Sequence, residues 1–549
     1  MTTQNSEPIL RVEDLTVVYE PIGAPVTRAV DDVSLEIRRG EFVGLVGESG
    51  SGKSTLGFAI TKLAKAPARI EHGRIVFEGR DIAPLGPEEL RSQRQGGFAM
   101  VLQSGMNALN PVRSIRNHFL DIFRAHGHVA ATERLARARD LLSKVELDPE
   151  VLDRFPSELS GGMRQRVSIA LALSLEPSLM VFDEPTTALD MLVQHAVMGT
   201  IRDLQRSEGF TAILISHDLG TVLEATERVL VMHDGRIVED SPSARILSDP
   251  QHEYTKMLLS HYANPRAEVV SLPGLEERPV VPAEGSDTRA LVVEGLTKTY
   301  RGRRGRTVQA VDDVSFRLEP GGALALVGQS GSGKSTIAKM LTGVERPTSG
   351  SILFGDQRVD QLKRREMRGF WSDVQMVFQD PYAALNPLHT VGYHLERPVA
   401  NLTDLSGADV RRRVIELLET VGLTPAEEFA AKLPHQLSGG QRQRVVIARA
   451  LACDPQVIVA DEPVSMLDVS LRAGVLRLLR DLREERGVSL LYITHDLLSA
   501  RLITDDILVL HDGRVVESGR TADVMRSPRD PYTVDLLDAI PDPARAQAA

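Results

Sequence analysis

The chain repeats itself. GESGSGKST at Gly47–Thr55 returns in the second half as GQSGSGKST at Gly328–Thr336. LSGGMRQRVSIALALSLEPSLMVFDEPTTALD at Leu159–Asp190 returns as LSGGQRQRVVIARALACDPQVIVADEPVSMLD at Leu437–Asp468, with 19 of 32 positions identical. HEYT at His252–Thr255 and DPYT at Asp530–Thr533 keep the same offset as the LSGG strings. A period of about half the chain marks a duplicated domain, not a solenoid of short units. At 549 residues each copy is large enough to bury its own core. We read 1–260 as the first copy and 291–549 as the second. Residues 261–290, HYANPRAEVVSLPGLEERPVVPAEGSDTRA, are Pro- and Glu-rich without helical or strand periodicity. They are expected to form an extended linker of ~30 residues that spans up to roughly 100 Å.

Composition closes several routes. With 42% apolar and 25% charged residues the chain is neither disordered nor fibrous. Its one cysteine, Cys453, excludes an internal disulfide, and no Cys/His cluster has the spacing of a zinc or iron–sulfur site. Cys453 is expected to be a small buried residue. A net charge of −11 argues against a general nucleic-acid coat, so no nucleic-acid partner is expected. The start of the chain lacks the pattern of a secretory signal. No run of ~18 apolar residues appears, and the best stretch, Ile169 to Phe182, is broken by Glu176 and Pro177. The expectation is a soluble protein of the reducing cytoplasm that borrows any membrane spans from other chains.

Within each copy, short apolar runs such as FVGLVG (Phe42–Gly47), LMVFDE (Leu179–Glu184) and TAILISH (Thr211–His217) alternate with longer amphipathic stretches such as Val193–Leu204. That alternation predicts an α/β fold with a parallel sheet flanked by helices, and ligands at its strand ends. G-x-x-x-x-G-K-S directly after an apolar strand is a phosphate-binding loop. Its residues are Gly47, Ser49, Gly50, Ser51, Gly52, Lys53, Ser54 and Thr55, repeated as Gly328, Ser330, Gly331, Ser332, Gly333, Lys334, Ser335 and Thr336. The glycines let backbone N–H groups curve around phosphates at a helix N-terminus. Lys53 and Lys334 would reach the β- and γ-phosphates, and Ser54 and Ser335 would ligate Mg²⁺.

Asp183-Glu184 and Asp461-Glu462 each end an apolar strand. Alone such a pair usually marks a helix start. Beside a phosphate loop, the Asp reads as a direct or second-sphere Mg²⁺ partner and the Glu as the group that polarises the attacking water. His217 and His495 close another strand at equal spacing beyond the Glu, where a single His is usually structural. Its recurrence points to a hydrogen bond with the γ-phosphate. Gln103 and Gln379 end the runs FAMVLQ and VQMVFQ. Tyr19 and Tyr300 stand equally far ahead of the first loop glycine of their copies, and each either packs a strand or stacks on adenine. Leu159–Gly162 and Leu437–Gly440, LSGG ahead of an Arg-rich helix, supply a second anion-binding end per copy.

Taken together, these strings resemble the ATP-binding-cassette (ABC) family over nearly the whole chain, twice. Phosphate loop, glutamine loop, LSGG signature, Asp-Glu strand, Leu-Asp loop (Leu189-Asp190, Leu467-Asp468) and His loop stand in family order in both halves. The resemblance implies two tandem cassettes, each a RecA-like core with an antiparallel β subdomain and a helical subdomain. It also implies ATP bound head-to-tail. One site would use Tyr19, Lys53, Ser54, Gln103, Asp183, Glu184 and His217 with Ser438, Gly439 and Gly440. The other would use Tyr300, Lys334, Ser335, Gln379, Asp461, Glu462 and His495 with Ser160, Gly161 and Gly162. Gln103 and Gln379 would join Ser54, Asp183, Ser335 and Asp461 around Mg²⁺. Neither Glu nor signature is lost, so both sites are expected to hydrolyse ATP, with a mild asymmetry at Met163 and Gln441.

Gln379-DPYAALNP, its degenerate twin Gln103-SGMNALNP, LDVSLRAGVLRLLRDL and the terminal HEYTKMLL and DPYTVDLL resemble the ATPases of peptide-type importers for oligopeptides, dipeptides, nickel or glutathione. The implied partners are two transmembrane permease subunits and an extracytoplasmic substrate-binding protein, with the chain peripheral on the cytoplasmic face of the membrane. Members of that branch often carry a Cys-rich iron–sulfur segment; both tails here lack cysteine. The alternative is a soluble twin-cassette ATPase acting on ribosomes or DNA, but the short Pro-rich linker and the missing zinc cysteines weigh against it. A nucleotide-sensing module is disfavoured by the presence of both Glu184 and Glu462. RGRRGR at Arg301–Arg306 is read as a solvated surface hairpin loop, with anionic lipid headgroups as the other contact.

Overall fold

In the computed structural model the chain forms two compact units, Met1–Tyr262 with Ile540–Ala549, and Ala263–Ala539. The structure describes residues 7–542 apart from 22, 24, 87–88, 91–95, 103–107, 128, 188, 278–288, 302–306 and 364. Gln103 and most of the Arg301–Arg306 run therefore lie outside the described residues.

The strands of the first unit are β1 (Pro8–Tyr19), β2 (Thr27–Arg38), β3 (Phe42–Val46), β4 (Ala68–Phe77), β5 (Arg80–Asp81), β6 (Phe98–Val101), β7 (Leu179–Asp183), β8 (Thr211–Ser216), β9 (Arg228–His233) and β10 (Arg236–Pro242). They build a four-stranded antiparallel sheet, β2-β1-β4-β5, and a six-stranded sheet, β10-β9-β3-β8-β7-β6. In the larger sheet only β10 runs antiparallel. β2 reads as half-buried, with Val33, Leu35 and Ile37 turned inward at alternate positions. β3, β7 and β8 are instead buried along their whole length, as unbroken apolar strands must be when helices or a second sheet cover both faces. Because β3 lies between β8 and β9, and β7 beside β8, the residues that follow β3, β7 and β8 emerge at one edge of the sheet. Those residues are Gly47, Glu184 and His217.

A helical part completes the unit. The helix Ile115–His126 buries Ile115, Phe119 and Phe123, spaced four apart on one face, and stops at Gly127 in the left-handed conformation. The two rings pack in one cluster with Leu141 and Leu142 of the helix Arg134–Lys144 and with Val167 and Ile169 of the helix Gly161–Leu173. Truncating Phe119 to Ala would cost about 3–5 kcal/mol there.

The second unit contains β11 (Ser271–Leu272), β12 (Leu275–Glu276), β13 (Leu291–Arg301), β14 (Thr307–Leu318), β15 (Ala323–Val327), β16 (Ser349–Phe354), β17 (Gln357–Arg358), β18 (Val374–Val377), β19 (Val457–Asp461), β20 (Ser489–Thr494), β21 (Asp506–His511) and β22 (Arg514–Arg520). Its sheets, β14-β13-β16-β17 and β18-β19-β20-β15-β21-β22, repeat the first unit strand for strand. No helix among the described residues is long and apolar enough to cross a membrane.

Within the stretch expected to be an extended linker, the described residues up to Glu277 are packed. Residues 263–277 fold onto the second unit, where β11 and β12 form a hairpin with Val270, Leu272 and Leu275 buried. Arginines hold the backbone down. Arg477 donates to Pro273 O at 3.0 Å, Arg480 to Glu276 O at 3.0 Å, and Arg526 to Glu268 O. Arg501, its side chain 0% exposed, donates to the carbonyls of Pro265 and Glu268 and pairs with Glu277 at 3.1 Å. Carbonyls without strand partners are satisfied by guanidinium groups, which offer several donors in a fixed fork.

Candidate functional site

β3 ends at Val46 and the chain turns sharply. Gly47 has φ 155°, and a Cβ there would lie 2.1 Å from Met232 O; Gly52 has φ 103°, and its Cβ would lie 2.1 Å from Ala29 O. Gly328 and Gly333 repeat both constraints against Leu510 O and Ala310 O, at 2.1 and 2.3 Å. Only glycine fits these positions. The loop wraps its own lysine: Lys53, 5% exposed, donates from Nζ to Gly47 O and Glu48 O, both at 2.7 Å. Lys334 does the same to Gly328 O and Gln329 O, both at 2.7 Å. The helices Lys53–Ile60 and Lys334–Leu341 that follow have no side-chain cap, so their positive ends face the loop.

Ser54 Oγ donates to Asp183 Oδ1 at 2.9 Å, and Ser335 hydrogen-bonds Asp461. Burial pushes both aspartates above the usual carboxylate range, against the pull of the serine hydroxyls. A hydroxyl beside one buried carboxylate at a phosphate loop fits Mg²⁺, which takes one or two carboxylates and keeps waters and phosphate oxygens for its other positions.

Glu184 follows β7 in a left-handed conformation, φ 46°, and Glu462 follows β19 with the same φ of 46°. Glu184 Oε1 lies 3.1 Å from His217 Nδ1, and its Oε2 accepts from Thr187 Oγ1 at 2.9 Å. Glu462 Oε1 lies 3.2 Å from His495 Nδ1, and its Oε2 accepts from Gln379 Nε2 at 2.7 Å. Burial would raise both glutamates, but the facing histidines, together with the loop lysines and the hydrogen bonds from Thr187 and Gln379, hold the carboxyls below their ordinary value. Burial likewise opposes charge on His495, and Glu462 overcomes it, so this imidazole sits above its ordinary pKa. Non-glycine residues held at positive φ cluster at functional sites, where the surrounding structure sustains the strain.

The remaining expected residues divide. Gln379 is brought to Glu462, while Gln103 lies outside the described residues. Tyr19 Oη meets Thr55 Oγ1 at 3.3 Å, which puts its ring beside the phosphate loop. Tyr300 likewise hydrogen-bonds Thr336, and it also donates to Glu345 Oε2 at 2.5 Å with Lys298 Nζ 5.2 Å from its ring centre; the first copy has Ala64 where Glu345 stands. Ser160 and Ser438 cap the helices Gly161–Leu173 and Gly439–Ala450, accepting from Met163 N and Gln441 N, each at 3.3 Å. Gly162 permits close packing, since a Cβ there would lie 2.3 Å from Val193. Sequence reasoning misses Thr187. It also misses Tyr254 and Tyr532, whose hydroxyls accept from the phosphate-loop N–H groups of Glu48 and Gln329 at 2.8 and 2.9 Å. The only sequence signal for the tyrosines is the recurrence of HEYT and DPYT.

Comparison with known proteins agrees with this geometry. The ABC transporter family matches residues 30–187 and again 311–465. The C-terminal region of oligopeptide/dipeptide transporters matches 238–287 and 516–548. The chain is 39% identical over 573 residues to the glutathione import ATP-binding protein GsiA of Salmonella choleraesuis (strain SC-B67), covering 98% of this chain and 91% of that protein. It is 40% identical over 577 residues to the protein of the same name from Pectobacterium atrosepticum, with the same coverage of 98% and 91%.

Proposed function

This chain belongs to the ABC transporter family as a twin-cassette ATPase, and from that premise we propose that it powers an importer of peptides or a similar small solute such as glutathione. It would work at the cytoplasmic face of the membrane, with two permease subunits supplying the spans and an extracytoplasmic binding protein supplying cargo. The observation that carries this reading is the double occurrence of one complete set: a serine–aspartate pair in each unit, with the loop lysine and the glutamate–histidine pair at matching distances in both. The relatives named for import favour this over action on ribosomes or DNA.

Lys53 and Lys334 would bind the β- and γ-phosphates of ATP. Ser54 with Asp183, and Ser335 with Asp461 and Gln379, would hold Mg²⁺, which when bound neutralises developing phosphate charge. Glu184 and Glu462, kept ionised by their histidines, would take the proton of the water that attacks the γ-phosphorus as the bond to ADP breaks. His217 and His495, each paired with its glutamate, would orient that carboxylate and hydrogen-bond the γ-phosphate. Tyr19 would stack on adenine. Each site would be completed by the signature of the opposite cassette, Ser438–Gly440 for the Lys53 site and Ser160–Gly162 for the Lys334 site.

The test is reconstitution with candidate permease subunits of a peptide-type importer. ATP hydrolysis should rise, and labelled glutathione or dipeptide should enter vesicles, when the cognate binding protein is added. No stimulation by the permeases would sink the importer reading. Ser438→Arg should impair ATP turnover at the Lys53 site; an effect confined to the Lys334 site would rule out the head-to-tail arrangement.

A further inference from the structure

The peptide group joining Gly47 to Glu48 is gripped at both ends. Its carbonyl accepts from Lys53 Nζ at 2.7 Å, and its N–H donates to Tyr254 Oη at 2.8 Å. The Gly328–Gln329 peptide is gripped in the same way by Lys334 at 2.7 Å and Tyr532 at 2.9 Å. Hydrogen bonds at opposite ends of one peptide polarise each other and fix its plane. The tyrosines themselves are fixed. Tyr254 is 6% exposed and its ring stacks on His233 at 3.9 Å; Tyr532 is 8% exposed and stacks on His511 at 3.9 Å. The helices that carry them, Glu253–Ser260 and Pro531–Asp538, are pinned at their starts. Glu239 on β10 accepts from Gln251 N and His252 N at 2.9 and 3.0 Å, and Glu517 on β22 accepts from Arg529 N and Asp530 N at 2.8 and 3.2 Å.

We infer that Tyr254 and Tyr532 are positioning residues for ATP. Through the 47–48 and 328–329 peptides they hold Lys53 and Lys334 where the phosphates bind, so the tail helix of each cassette sets nucleotide affinity. Packing alone does not account for a tyrosine here, because phenylalanine would cover the histidine equally well and leave the loop N–H without its acceptor. The inference rests on the reading of the phosphate loops as ATP sites.

The test uses the full chain. Tyr254→Phe combined with Tyr532→Phe keeps both rings and removes only the acceptor oxygens. In steady-state ATP hydrolysis, KM should rise about 3- to 10-fold, the worth of one hydrogen bond, with kcat held within about twofold. A purely structural role would act by lowering the folded fraction, which reduces kcat and leaves KM alone. An unchanged KM therefore overturns the inference. Lys53→Ala combined with Lys334→Ala is the companion measurement. If that variant still binds ATP normally, it is the reading of the loops that fails; if it loses ATP while the tyrosine variant keeps its KM, only the role of the tyrosines falls.

Discussion

The two cassettes share a sheet order and a catalytic geometry, yet they differ in what surrounds them. Glu184–His217 and Glu462–His495 pair at nearly equal distances, 3.1 and 3.2 Å. The second cassette, however, is strapped by residues 263–277 through Arg477, Arg480, Arg501 and Arg526. At the corresponding positions the first cassette has Gly199, Arg202, Leu223 and Ser248, so three of the four clamps are absent. The chemistry is alike at the two sets of strand ends, while the outer helix faces differ, and in the second cassette they anchor the connector.

The largest expected effect tests the shared part. Glu184→Gln with Glu462→Gln should lower phosphate release by about 10²–10⁴-fold while ATP still binds. The single variants should match each other; a clear inequality would break the equivalence of the two sites. The next test acts on the divergent part. Arg501→Leu, which installs the residue found in the first copy, should destabilise the second unit by about 3 kcal/mol, because it strips a buried guanidinium from Glu277 and two carbonyls. Limited proteolysis should then cut within 263–277. Leu223→Met in the first cassette should do neither, and an equal loss from both would show that the strap carries no special weight.

A pH experiment separates a feature common to both cassettes from the strap. Burial works against charge on Glu239 and Glu517, but the Thr255 and Thr533 hydroxyls, together with paired backbone N–H donors, hold both carboxyls below their ordinary value. A carboxyl with a depressed folded pKa contributes stability above its unfolded value. That contribution is lost as pH falls from about 4.5 through the folded value. Each Glu→Gln variant should lose about 1–2 kcal/mol at neutral pH and flatten the acid limb of the stability curve. A limb of unchanged slope would remove these glutamates as anchors of the tail helices.

What could be read from the sequence follows the range of the interactions. The phosphate loops, the Asp-Glu pairs and the histidines are local strings whose residue types already state their chemistry, and the parallel sheet announces itself in unbroken apolar runs. The strap could not be read, because its segment has no periodicity of its own and its fixation comes from arginines far along the chain: Arg501 and Glu277 are 224 positions apart. Tyr254 was visible only as part of a repeated tetrapeptide, since its partner Glu48 lies 206 positions earlier. The extra bond that Tyr300 makes depends on Glu345 standing where the first copy has Ala64, a difference that means nothing until the fold brings the two residues together.

The smallest effect concerns the signature helices. Ser438 and Gln441 cap each other, Gln441 N–H donating to Ser438 Oγ at 3.3 Å and Ser438 N–H donating to Gln441 Oε1 at 3.0 Å. In the first cassette Ser160 accepts from Met163 N at 3.3 Å, but the thioether of Met163 returns nothing comparable. Met163→Gln should therefore stabilise its helix by about 0.5 kcal/mol, and Gln441→Met should cost its own helix about the same. The two shifts should have opposite signs in chemical denaturation of the full chain. Both variants should hydrolyse ATP normally if the capping hydroxyl, and not its reciprocal partner, prepares the helix end for phosphate. A fall in turnover with Gln441→Met alone would instead make residue 441 part of the site and turn a mild asymmetry of sequence into one of function.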